Sequence, residues 1–307
     1  MRKRLQNRVA ESRFAFPATV LYAAVIWLAN GVVGERMYVQ LAIFAISSLM
    51  MMTLNNRNSL IRIYSRMVSC SFIAMTCAAT FLFSSLNAIA VQALFILFYL
   101  TLLRSYQNKR AQGAVFYAFF CLGIASMFFV QILFYVPFLW ILMASNMMAM
   151  SHKMFWASII GIIAPYWFIG GYYLYTGNAD ELLTHFTQLA DFQSIFNYAD
   201  INLHKAITFG IMCVFSIIGI THFMRNSYLD KIRTRMIFEM FITVDILTII
   251  FIILQPQHIN TLLTIMIVNT SCLFAHYIAL TKTRVTNIVC ILAFCMTIGL
   301  TIFNSLF

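Results

Sequence analysis

The chain has 307 residues, of which 62% are hydrophobic and only 9% charged, and its mean hydropathy is +0.87. A soluble fold of this length has no interior large enough to hide that much apolar surface, so a soluble globular protein is excluded. The net charge of +11 does not point to nucleic acid, because the basic residues sit in short clusters between apolar runs, as in cytoplasmic loops facing anionic lipid.

The apolar runs have the length of membrane-crossing helices, about 20 residues each. The alternating pattern of a β-barrel is absent. The sequence therefore reads as an all-α, polytopic helical membrane protein, a single integral membrane domain over residues 1–307 with the lipid bilayer as its first partner. The basic start MRKRLQNR precedes a full-length apolar run without an A-x-A-like cleavage site, which predicts a retained signal anchor.

Eleven transmembrane helices are predicted, near 14–33, 38–54, 67–86, 88–103, 114–130, 133–149, 155–175, 204–223, 236–254, 261–280 and 285–306. The fifth and sixth form a close pair broken only by Gln131, with Pro137 suited to a first helical turn. With the N-terminus inside, the cytoplasmic segments hold all of the 20 basic residues except Arg36 and Lys205. That asymmetry predicts a cytoplasmic N-terminus and an outer C-terminus in a bacterial inner membrane.

One sizeable polar excursion interrupts the spans, from Asn178 to Lys205, with an amphipathic stretch over about 178–204. It carries Asp180, Glu181, Asp191 and Asp200, out of nine acidic residues in all, so it is the expected working surface. Asn178 and Glu181 have the spacing of a capping box. Leu182, Leu183, Phe186 and Leu189 then recur at helical spacing, with Phe196 further on, which predicts a short helix lying on the outer leaflet. Ahead of it, Tyr166, Trp167, Tyr172, Tyr173 and Tyr175 crowd one span end. They read first as an aromatic interface belt and second as a wall for stacking a sugar or a lipid head group.

Asp245 lies near the middle of IFEMFITVDILTIIFIIL. A carboxylate there costs about 2.5–3.5 kcal/mol on insertion scales and must face other helices or water. Its expected partners are Asn269 and His276 in the next span. Glu239, six residues earlier, is about 120° away around the helix and belongs to a different site. Two roles stand side by side for Asp245: an ion- or proton-coupled site, or a hydrogen-bonded carboxyl that joins helices.

The seven cysteines lie inside apolar runs without a C-x-x-C pair and read as small buried hydrophobes. The six histidines show no H-E-x-x-H, and no metal site is expected. No phosphate-binding glycine motif and no G-x-S-x-G occurs, so no cofactor is expected.

The stretches LFYLTLLRSYQNKRAQ and GAVFYAFFCLGIASMFFVQILFYVPFLWILM, with the Lys153-to-Gly177 span and its Pro165, cover about Tyr99 to Asn202. This region resembles the core of membrane glycosyltransferases that use polyprenyl-phosphate sugars. As a whole, the chain resembles an uncharacterised bacterial family of polytopic membrane proteins of this length. The first resemblance implies a catalytic acid in a long outer loop between the first two spans. Here that place holds only Gly34-Glu35-Arg36-Met37, with no room for helices shaping a donor site. The expectation is therefore a non-catalytic or partner-dependent scaffold in envelope or lipid-linked glycan metabolism, holding a polyprenyl-phosphate lipid or another membrane protein. The alternatives are a glycosyltransferase with Glu35, Asp180, Glu181, Asp191 or Asp200 as general base, and a secondary transporter coupled through Asp245.

Overall fold

The computed structural model describes residues 4–177, 179–190, 192, 198 and 201–306. Among them there is no strand. The helices are α1 (Leu5–Glu11), α2 (Ala15–Ala29), α3 (Tyr38–Asn58), α4 (Met67–Ala78), α5 (Leu86–Leu102), α6 (Gln112–Phe128), α7 (Val136–Ser145), α8 (His152–Thr176), α9 (Ala179–Thr187), α10 (Leu203–Asn226), α11 (Ile232–Leu254), α12 (Ile259–Leu280) and α13 (Arg284–Ser305). Short 3-10 turns extend several of them, notably Val130–Tyr135 before α7.

Seven of these helices are long and apolar enough to cross a membrane: α3, α5, α8, α10, α11, α12 and α13. The bent pair α1 and α2, which meet at 90°, makes an eighth if it is one span. Each of the eleven predicted apolar segments carries a helix, but α4, α6 and the Val130–Ser145 segment are apolar helices shorter than the seven candidate spans. The shortness of α4 has a physical basis. All but one of its residues are buried, among α2, α3, α12 and α13, so it is shielded from lipid by its neighbours.

The bundle is built around α12. Every residue from Leu262 to Ala279 is buried, and the helix packs on α4, α5, α10, α11 and α1. A helix apolar on all sides belongs in a core, where its few polar side chains must find partners on neighbouring helices. Thr264 donates to the Ala88 carbonyl of α5 at 3.2 Å, and Asn269 accepts from Tyr99 Oη of α5 at 2.6 Å.

Small residues allow the closest helix crossings. A Cβ added at Gly161 of α8 would lie 2.6 Å from the Phe116 carbonyl oxygen of α6, and one at Gly219 of α10 would lie 2.8 Å from Leu273 Cβ of α12. Where α8 ends, Gly177 takes a left-handed φ of 75° and closes the last turn.

Hydrogen bonds gather the connecting segments at two ends. At one end, Arg4 donates to the Lys282 carbonyl and Arg62 to the Leu229 carbonyl. Arg233 donates there to Asn58 and to the Leu103 carbonyl, and the Gln107 amide to the Met147 carbonyl. We call this the basic end. At the other, Asn30 donates to Ser305, Gln131 to the Gln188 carbonyl and Tyr198 to the Ile253 carbonyl.

The predicted outer helix is present as α9, followed by a 3-10 turn over Gln188–Ala190. Asn178, Asp191, Phe196 and Asp200 lie outside the described residues, as do the side chains of Glu181 and Leu182.

Candidate functional site

Asp245 is fully buried where α10, α11 and α12 meet. Ser216 Oγ of α10 donates to its Oδ2, and Thr270 Oγ1 of α12 lies 3.2 Å from Oδ1 and 3.3 Å from Oδ2. Two hydroxyls from two helices thus close on one carboxyl. The predicted partners are corrected by this geometry. Asn269 turns to Tyr99 on α5, and His276 turns to Asp230 beyond the start of α11, at 3.0 Å from Nε2 to Oδ2. Adjacent positions on a helix point about 100° apart, so Thr270 rather than Asn269 faces α11. All three helices run unbroken past Asp245.

Glu239 belongs to a separate place. Its Oε2 accepts from Asn146 Nδ2 at 2.8 Å, which ties α11 to the end of α7.

At the basic end, Asp230 forms a second buried centre. Its carboxylate is met by His276 and, at 3.8 Å, by Arg62. His222 of α10 stands beside His276 with ring centroids 5.4 Å apart, and Asn226 bonds to His222. Neither His276 Nδ1 nor His222 Nε2 has a partner among the described residues. The cluster is hidden in the sequence because Asp230 sits in a turn between basic residues and reads as solvated. The clue was His276 itself, a titratable ring near the end of a largely apolar helix.

At the other end, Glu35 and Asp180, the two predicted acids whose side chains are described, stand apart. Glu35 is exposed in the turn between α2 and α3, where its amide bonds to the Gly31 carbonyl and Arg36 takes a φ of 54°. Asp180 is exposed on α9. Among the described residues no hydrogen bond or ion pair joins the two.

The aromatic residues of α8 divide in the same region. Tyr166 turns inward: its hydroxyl is 2.6 Å from Ser126 Oγ of α6 and 3.4 Å from His185 Nε2 of α9, and its ring lies 5.0 Å from that of Phe186. It fastens the outer segment to the bundle. Trp167 is 78% exposed, and Tyr172 and Tyr175 stand out beside it. Tyr173 is half-buried, 6.0 Å from the ring of Tyr172. Outward aromatic side chains at a span end have the arrangement of an interface belt.

Next to this anchor lies an apolar groove of about 500 Å³. Phe134 and Phe138 form one wall, Leu247, Ile250 and Phe251 of α11 the other, and Phe192 of the outer segment closes over it. The rings of Phe134 and Phe192 are 5.6 Å apart. Gln131 and Tyr198 pin the outer segment on either side through the Gln188 and Ile253 carbonyls. A hollow of this size and lining can take a hydrocarbon chain. Tyr135 and Gln255 are the polar residues among its described lining, and the Tyr135 hydroxyl is engaged by Thr248. Nothing in the apolar pattern of these segments marked the groove, because groove walls and lipid-facing surface have the same composition.

Comparison of the chain with protein-family models, with curated proteins and with solved structures finds no match.

Proposed function

We propose that this protein is a non-catalytic membrane component that holds the hydrocarbon part of a lipid-linked substrate in the groove under its outer segment. The carrying observation is the groove itself: a hollow of about 500 Å³ with an almost wholly apolar lining, roofed by Phe192 and flanked by an anchored polar segment. Such a site keeps a lipid tail in apolar surroundings while its head group rests among polar residues. The likeness to polyprenyl-phosphate-dependent glycosyltransferases suggests the class of lipid, a polyprenyl phosphate serving envelope or lipid-linked glycan metabolism.

The finer topology belongs to the same reading: eleven crossings, N-terminus inside and C-terminus outside, in a bacterial inner membrane. It is supported by the alternation of the connecting segments between two ends and by the collection of basic residues at one of them. The exposed, unlinked positions of Glu35 and Asp180 favour holding over catalysis.

The test is photolabelling of the full chain in nanodiscs with a diazirine-bearing polyprenyl phosphate. Label is expected on the groove walls, and filling the groove with Leu247→Trp and Ile250→Trp should abolish it. Label spread evenly over the lipid-facing helices, and unchanged by the two tryptophans, would refute the reading.

A further inference from the structure

At the basic end, away from the groove, a polar cavity of about 430 Å³ opens between the 55–65 segment and the start of α11. That volume falls in the range of small-molecule sites. Arg62 and Lys231 stand in its wall. The first turn of α11 forms another part. Lys231 is the N-cap, and no side chain caps this 23-residue helix, so its first amides keep the positive end of the helix dipole.

Thr234, in that first turn, supplies an independent sign of a ligand. It lines the cavity and is only 4% exposed, yet its hydroxyl makes no hydrogen bond to any described residue. The little surface that the residue keeps includes this hydroxyl, which therefore faces the cavity and can donate to a ligand there. The one acid in the wall, Asp230, is already engaged by His276 and Arg62, and its side chain is almost wholly covered. Two cations, an uncapped helix start and an unmatched hydroxyl share one requirement, an anion with several acceptor oxygens.

We propose that this cavity binds the phosphate group of a small ligand, held by Arg62, Lys231, the Thr234 hydroxyl and the first amides of α11. The same chemistry is offered by a phosphomonoester lipid head group and by a water-soluble phosphate ester. The site is independent of the outer groove and does not rest on the function proposed for it.

The full chain in phosphatidylcholine nanodiscs is titrated with glycerol 3-phosphate by calorimetry. In a second arm, nanodiscs containing phosphatidic acid are compared with phosphatidylcholine alone by native mass spectrometry of retained lipid. Saturable binding is expected in at least one arm. The calorimetric arm alone identifies a soluble ester, and the lipid arm alone a head group. Thr234→Val, which keeps the side-chain shape, and Lys231→Met are each expected to weaken binding about tenfold. Neither touches the Arg62 contacts that help hold the fold, so both should remain folded. The proposal is overturned if neither arm shows saturable binding, or if either variant binds as tightly as the parent.

Discussion

Thr270 Oγ1 stands almost equidistant from the two carboxyl oxygens of Asp245, at 3.2 and 3.3 Å, while Ser216 approaches from the opposite helix. The contact makes Asp245 a joint between α10, α11 and α12. Interhelical hydrogen bonds in membranes contribute about 0.6 kcal/mol on average and at most about 1.7. Ser216→Ala is therefore expected to lower stability by about 1 kcal/mol, and Thr270→Val by a similar amount. Asp245→Asn, which keeps an acceptor and the shape, should cost less than Asp245→Leu, which strands both hydroxyls. Thermal unfolding in detergent checks the order. An Asp245→Asn protein that folds as well as the parent but loses its cellular activity would instead favour coupling through this carboxyl.

The Tyr99–Asn269 bond can be isolated by a double-mutant cycle. Tyr99→Phe leaves Asn269 Oδ1 buried without its 2.6 Å donor, and Asn269→Leu leaves the tyrosine hydroxyl stranded. Each single change is expected to cost about 1–3 kcal/mol, and the pair less than the sum, because both orphaned groups are then gone. Additive losses in chemical unfolding would mean that the bond contributes nothing of its own.

Gly161 is the tightest point between α6 and α8. An added methyl would lie 2.6 Å from a backbone oxygen, which cannot swing away as a side chain can. Gly161→Ala is expected to destabilise by about 1–3 kcal/mol through overpacking, and Gly161→Leu to prevent folding. Gly113→Ala meets open space and should be neutral. Monodisperse yield on size exclusion separates the three.

Gln131 anchors the outer segment through the Gln188 carbonyl. Gln131→Leu, together with Tyr166→Phe, removes two of its ties to the bundle. Faster protease cleavage within residues 178–202 is expected, with the bundle itself intact. Unchanged cleavage would show that the segment is held elsewhere.

Composition and hydropathy were enough to establish a helical membrane protein and to locate nearly every helix, because burial in lipid requires long apolar runs and because turns must carry polar residues. They also singled out Asp245, since an acid within such a run has few tolerable explanations. They did not reveal Ser216 and Thr270 as its partners, nor Asp230 as the partner of His276. Those pairings depend on which face of one helix meets which face of another, and apolar faces that fit many neighbours carry no label in the sequence. The groove under Phe192 and the cavity beside Thr234 are likewise properties of packing. Each is made by segments distant in the chain, and each exists only because the helices stop short of filling the space between them.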